Sequence, residues 1–216
     1  VEVIARNSKI FSLKRLKDYE GTSINSGKKN EVILISESLA NLSTNNARQI
    51  FSQVPGLNIF QNDDAGLQLN IGGRGLDPNR TSNFNTRQNG YDISADVLGY
   101  PESYYTPPSE ALDRIEIIRG AASLQYGTQF GGLVNFVFKN PVKEKKINLK
   151  IRNTLGSFNL FTNFSEVSGS SGKFSYYAFY NHKEGQGFRP NSEFESANSY
   201  VNINYDFNST TNLALE

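Results

Sequence analysis

The chain carries 22 basic and 21 acidic side chains among 216 residues, a balance that gives no electrostatic reason to expect nucleic acid as a partner. Cysteine is absent, which excludes a disulfide framework and a thiolate metal site, and the lone His182 has no neighbour at metal-ligand spacing. No apolar run approaches the ~20 residues that a membrane-spanning helix needs, so any membrane role falls to strands.

Residues 1 to about 30 open on an extended apolar run, Val1-Glu2-Val3-Ile4-Ala5, followed by a polar stretch (Ser23 to Asn30) that reads as a mobile tether. Position 1 is Val rather than Met, so the chain is expected to begin after processing or to be a fragment. Residues 31 to about 142 read as a compact mixed α/β domain. Glu31 to Ile35 is a strand candidate, and Thr44 is a plausible N-cap for a helix that places Ala47, Ile50, Phe51 and Val54 on one face before Pro55-Gly56 ends it. Leu57 to Phe60 and Leu67 to Ile71 are short strands flanking a solvated tip at Asp63-Asp64. Gly72-Gly73-Arg74-Gly75 lacks the Lys-Ser/Thr and the opening helix of a phosphate loop. Ser109 is placed to cap a short helical turn before Leu112, ahead of a strand over 114–118. Glu116 and Asp113 have no His or metal partner in the sequence, and nothing points to an enzyme.

From about residue 145 the pattern changes to two-residue alternation. Ile147, Leu149, Ile151 and Leu155 share one parity, Phe158, Leu160 and Phe164 a second run, and Phe174, Tyr176, Ala178 and Tyr180 a third, with Tyr177 and Phe179 opposite. Val201, Ile203, Tyr205 and Phe207 alternate with Asn202, Asn204 and Asp206. Turns are expected at Gly156-Ser157, 168–172 and 208–212, with a longer loop over 184–196. Segments of about 10 residues with alternating sides are the mark of transmembrane β-barrel strands; taken alone, they equally fit a water-soluble sheet with one wet face. His182 reads as part of a polar strand face.

The block from Leu112 to Lys139, LDRIEIIRGAASLQYGTQFGGLVNFVFK, is the most specific in the chain. An apolar strand (Ile115, Ile117, Ile118) runs into Arg119-Gly120, a small-residue turn leads to Tyr126-Gly127, and Gly131-Gly132 opens a second apolar strand through Val134, Phe136 and Phe138. Glycines at such offsets mark tight turns or close backbone approach. As a whole the block resembles the C-terminal half of the plug domain of TonB-dependent outer-membrane receptors, whose shared pattern runs IRG…S…YG…GG.VN….K. The stretch from Arg74 to Gly90, RGLDPNRTSNFNTRQNG, is similar to the ferric citrate branch of that family, but Asn89-Gly90-Tyr91-Asp92 departs from its usual Asp-Gly-x-Pro.

The resemblance implies an α+β plug domain followed by antiparallel transmembrane β-barrel strands, a partial barrel. Residues 1–30 would be a TonB-box-like segment and tether, 31–142 the plug, and 143–216 the first four to five barrel strands. A plugged transporter has about 22 strands, and an open edge in lipid leaves backbone groups unpaired, so the chain is expected to be a piece of the functional receptor. Val1, Glu2, Val3, Ile4 and Ala5 resemble the box that pairs with the TonB-type energy-coupling protein by strand addition; a linker remnant is the other reading. In the plug loops Asn79, Arg80, Asn83, Asn85, Arg87, Tyr104 and Tyr105 are the implied substrate-facing residues, with guanidinium and amide groups suited to carboxylate-bearing chelates. Arg74, Arg119, Gly120, Tyr126, Gly127, Gly131 and Gly132 form the implied structural and gating motif. The function implied by the resemblance is active import of a ferric siderophore or citrate-like chelate across the outer membrane of a Gram-negative bacterium. Its partners would be the coupling protein, lipid, the chelate and the rest of the barrel. Iron would be cargo, and no resident cofactor or metal is expected. A glycan or cobalamin importer, or a surface or assembly component that keeps the plug without transport, are the alternatives.

Overall fold

The computed structural model describes residues 14–26, 29–95, 102–127 and 129–216. The chain divides after Phe138 into two units.

The first unit is built on a five-stranded sheet. Its strands are β3 (Asn30–Leu34), β6 (Phe84–Gln88), β7 (Tyr91–Asp92), β8 (Leu112–Ile118) and β9 (Gly132–Phe138), in the order β3-β8-β9-β6-β7. Only the β6–β9 pair is parallel. A hairpin of β1 (Tyr19–Glu20) and β2 (Ser23–Ile24) precedes it, and β4 (Leu57–Phe60) pairs separately with β5 (Asn70–Gly73). The period-2 pattern of β8 and β9 dictates which face is dry. Register places Ile33, Ile115, Ile117, Val134, Phe136 and Phe84 on one side, and all are buried. Ile50, Phe51, Val54, Leu69 and Ile71 are also buried, each such side chain contributing about 1.5–3 kcal/mol. The opposite side carries Arg87, Arg114, Glu116 and Asn135.

The helix is shorter than the apolar spacing predicts. It is α1 (Ala47–Ile50), and its cap is Asn46 rather than Thr44: Asn46 Oδ1 accepts from the Gln49 N–H at 3.1 Å. Beyond Phe51 the bonding tightens to i→i+3, with Val54 N–H donating to Phe51 O at 3.0 Å, and Pro55 has no N–H to continue. Ile50, Phe51 and Val54 nevertheless bury as expected, because the tight turn keeps them on one side.

The strand expected over 67–71 is shifted to Asn70–Gly73. The Asp63 carboxylate accepts from the backbone N–H groups of Ala65 (2.9 Å), Leu67 (3.0 Å) and Gln68 (3.3 Å), which removes the donors an earlier strand would need. Asp63 thus organises a turn instead of merely facing solvent. Ser109 does not cap: the turn Ser109–Ala111 follows Pro108, and the Ser109 N–H and hydroxyl both donate to Asn45 Oδ1.

The paired glycines have a steric cause. At the entry to β9, Gly131 N–H donates to Asn83 O at 2.6 Å, and a Cβ there would lie 2.5 Å from that oxygen. Gly132 sits at φ +118, with the Ile118 carbonyl 2.5 Å from where its Cβ would be. Here β9 enters between β6 and β8, and only bare backbone fits.

The second unit is an antiparallel meander of β10 (Asn148–Leu155), β11 (Phe161–Ser171), β12 (Phe174–Gly185), β13 (Phe194–Asp206) and β14 (Asn212–Leu215). Strands β11 to β13, at 11, 12 and 13 residues, reach the ~9–11 that a tilted membrane strand needs. Register aligns Leu149, Ile151, Val167, Ala178, Val201 and Ile203 on one face. Leu149, Ile151 and Val201 keep 63%, 57% and 52% of their surface exposed.

The parity expected for the second run is corrected. Phe158 and Leu160 lie in the turn, where Gly156 N–H donates to Leu160 O, and Phe161 and Val167 occupy the apolar face. Phe164 is on the polar face, beside Arg152 and Asn181, where it packs 5.8 Å from Phe179. Tyr177 and Tyr200 complete that aromatic group, each 6.3 Å or less from a neighbour. On the same face Glu166 accepts from Lys139 Nζ at 2.8 Å and from the Tyr177 hydroxyl at 3.0 Å. His182 falls on the other, mostly apolar face near the loop end of β12, with Nε2 3.5 Å from Glu184 Oε2.

Candidate functional site

The loop between β5 and β6 holds two consecutive non-glycine residues at positive φ, Arg80 (52°) and Thr81 (58°). A β-branched residue in that region is strained and persists only when its surroundings hold it. Three contacts do so. Asn70 Oδ1 accepts from the Arg80 N–H at 2.8 Å, the Arg80 carbonyl accepts from the Ser103 N–H at 2.8 Å, and the buried Thr81 hydroxyl donates to Leu69 O.

The strain presents the Arg80 side chain to a second loop. Arg80 Nη1 lies 3.3 Å from Glu102 Oε2 and 3.3 Å from the Tyr104 hydroxyl, and the guanidinium sits 5.6 Å from the centre of the Tyr104 ring. Tyr104 in turn donates to Glu102. That bond, joined by the bond and charge of Arg80 against a smaller desolvation, holds the Glu102 carboxyl below the usual carboxylate range. The bond to Glu102 likewise raises the Tyr104 phenol. Tyr105 is turned inward, and burial pushes its hydroxyl up to about 12. The Asn83 side chain serves the loop itself, its amide donating to Asp77 O, and the backbone N–H of Asn79 donates to Asp77 Oδ1.

Arg87 and Asn85 belong elsewhere. Both lie on β6, and Arg87 stands toward the β6–β7 turn, paired with Asp92 and away from the strand end that follows Arg80. Arg87 donates through Nε to Asn85 Oδ1 (2.7 Å), through Nη1 to Gly90 O (2.6 Å) and through Nη2 to Tyr126 O (3.3 Å). The Asn85 amide donates to Asp92 at 2.9 Å. Burial alone would raise the Asp92 carboxyl, but bonds from Ser94 and Asn85 and the charge of Arg87 outweigh it and hold it low. The substrate-facing set expected from sequence is therefore split in two, and Arg87 has its guanidinium edges engaged by the fold.

Arg119 closes the base of the sheet. Its guanidinium meets Glu31 Oε1 at 2.6 Å and Pro55 O at 3.0 Å, with both charged side chains about nine-tenths buried (10% and 12% exposed). Arg74 is exposed at φ 59. Gly120 (φ +78) and Gly127 (φ +137) bound the short helical stretch that ends at Tyr126. Residues 1–5 lie outside the described residues. Sequence reasoning does not reach Glu102 or Glu31, because Arg80 and Arg119, their partners, lie 22 and 88 residues away; Asp92 has partners close by, Asn85 and Ser94, and is missed although that signal is local. Among the described residues no group of three or more His, Asp and Glu side chains could hold a metal ion.

Residues 28–133 match the family model described as the TonB-dependent Receptor Plug Domain. The chain belongs to the TonB-dependent receptors. The first unit is the plug, and the antiparallel strands after it match the strands of solved receptors of this family. Among curated relatives, the ferric enterobactin receptor PirA of Pseudomonas aeruginosa is 31% identical over 137 residues, 57% of this chain and 17% of that protein. Among solved structures, the unliganded ferric citrate transporter FecA aligns with TM-score 0.64 at 23% identity, over 93% of this chain and 30% of that one. The copper transporter OprC aligns with TM-score 0.61 at 17% identity, over 91% and 29%. The chain thus spans under a fifth of the curated relatives it matches, and at such identities the structural likeness shows the fold alone.

Proposed function

We propose that this chain supplies the gate and the opening wall strands of an outer-membrane importer for a ferric chelate in a Gram-negative bacterium. The observation that carries this reading is a plug domain running directly into long strands whose outward row (Leu149, Ile151, Val201) is apolar and exposed. Such a row suits lipid. The curated relatives are named as ferric enterobactin receptors, which favours an iron chelate as cargo.

Arg80, Glu102 and Tyr104 form the cargo-facing group of the plug. Their cation is already paired, so an anionic chelate must compete with Glu102 for the guanidinium. Arg80→Ala is expected to weaken binding of a carboxylate-bearing ferric chelate about tenfold or more, as loss of a charge-assisted bond implies. Glu102→Gln is expected to strengthen it, and Arg87→Ala to leave it unchanged. Equilibrium titration of the intact receptor measures all three; equal losses from Arg80→Ala and Arg87→Ala would remove this group from the site.

Import needs a link to an energy source, and Val1 to Ala5 is the segment suited to strand pairing with a TonB-type coupling protein. Cargo must bind the form that exposes this segment more tightly than the form that hides it, since equal affinity shifts nothing. Deleting Val1 to Ala5 is expected to abolish uptake of radiolabelled iron chelate while cell-surface binding persists. Uptake at the normal rate after the deletion would refute the role of the segment.

A further inference from the structure

Residues 14–26 run across the polar face of the plug sheet and are fastened at both ends. At the near end Val32 N–H donates to Lys14 O at 2.8 Å, Leu16 N–H to Asn30 Oδ1 at 3.0 Å, and the Asn30 amide to Asn25 O at 2.6 Å. At the far end the β1–β2 hairpin meets the Gly120–Tyr126 stretch. There Gln125 Oε1 accepts from Ile24 N–H at 3.1 Å while its Nε2 donates to Ile24 O at 2.7 Å, and Tyr126 donates to Ser23 Oγ at 2.9 Å.

Ile24 stands at a position of the hairpin whose backbone groups face away from β1; the bond back to β1 is made next door, from Asn25 N–H to Asp18 O. The Gln125 carboxamide therefore takes the place of a third strand. Of side chains this length, only glutamine offers one donor and one acceptor together in a neutral plane. Beneath the hairpin lies a recess of about 420 Å³, with Glu20, Ser23 and Asn25 on one wall and Arg114, Glu116 and Val137 among those on the other.

We propose that residues 14–26 are a strap over this recess, and that Gln125 and Tyr126 are the clasp whose release opens it. The fastening is lopsided. The near end shares the sheet edge through β3, whereas the far end depends on two side chains of one short helical stretch. Tension arriving from the chain before Lys14 meets the near end first and then the clasp; this source of force rests on the import reading, but the clasp itself does not.

The chain holds no cysteine, so a thiol introduced into it is read against the parent receptor treated in the same way. In the otherwise unaltered intact receptor, Val137→Cys on the sheet side is expected to react slowly with a maleimide. Adding Gln125→Ala is expected to speed labelling about tenfold, and to speed hydrogen exchange at the Ile24 amide similarly, as loss of two hydrogen bonds implies. Faster exchange at Ile24 with no change in labelling would overturn the strap, as would no change in either. If Gln125→Ala fails to assemble, Tyr126→Phe and Gln125→Glu each remove one donor from the clasp and carry the same expectations at smaller size. Neither measurement uses cargo or coupling protein. Loss of import with unaltered labelling would count against the strap and leave the import reading standing; accelerated labelling in a receptor that imports nothing would do the reverse.

Discussion

Gly132→Ala will unfasten the centre of the plug sheet, with hydrogen exchange at the Val134 and Phe136 amides rising roughly a hundredfold, which corresponds to about 3 kcal/mol. Two costs add at this residue. At φ +118 an alanine is forced into backbone space that is nearly glycine's own, costing about 1–3 kcal/mol. Its methyl would also stand 2.5 Å from the Ile118 carbonyl and 3.0 Å from the Arg119 Cγ, and an overpacked site costs about 1–3 kcal/mol more. The carbonyl belongs to β8 and cannot step aside without parting from β9, since Ile118 pairs with Leu133. Gly75→Ala separates the two costs. Its φ of +79 is also positive but no atom lies within 4 Å of the added carbon, so only the conformational part, about 1–2 kcal/mol, is expected. Equal effects at the two positions would show that contact with β8 contributes nothing.

Arg119→Met will cost about 3–5 kcal/mol, because it leaves Glu31 buried without its counter-ion. The loss is expected at both ends of the contact, in exchange at the β3 amides and in the turn at Pro55, whose carbonyl loses a donor. The double change Arg119→Met with Glu31→Leu is expected to recover most of the stability, since an apolar pair of similar size needs no desolvation of charge. Failure of that rescue would mean that the bond to Pro55 O, rather than the ion pair, carries the contribution. The family resemblance implies a structural or unlocking role for Arg119. Its contacts with Glu31 and Pro55 are all within the plug, which makes it a brace for the sheet on which the strap lies.

Much of this architecture is written locally. The alternation of Ile115 and Ile117 with Arg114 and Glu116 defines a strand with one apolar side before any partner is known, because successive side chains must face opposite ways. The glycines at 131 and 132 likewise announce close backbone approach, since that is the use for which a missing Cβ is needed. The same period places Val201, Ile203 and Tyr205 on one side of β13 correctly. It fails for Phe164: a single aromatic on the polar face joins Phe179, Tyr177 and Tyr200 from neighbouring strands, and no pattern within β11 reveals them. The helix is also shorter than its spacing suggests, because beyond Phe51 the bonding tightens to i→i+3 and Pro55 has no N–H to continue it.

The site shows the limit most clearly. Arg80 and Arg87 are seven positions apart and chemically alike, yet one meets Glu102 and Tyr104 while the other is consumed by Asn85, Gly90 and Tyr126. Residue type and spacing determined that guanidinium groups would be present, and the family block determined the plug. Which guanidinium meets Glu102 and Tyr104, and that a glutamine about a hundred residues away bonds Ile24, were decided only in three dimensions, where strand register sets which distant groups come within hydrogen-bond reach.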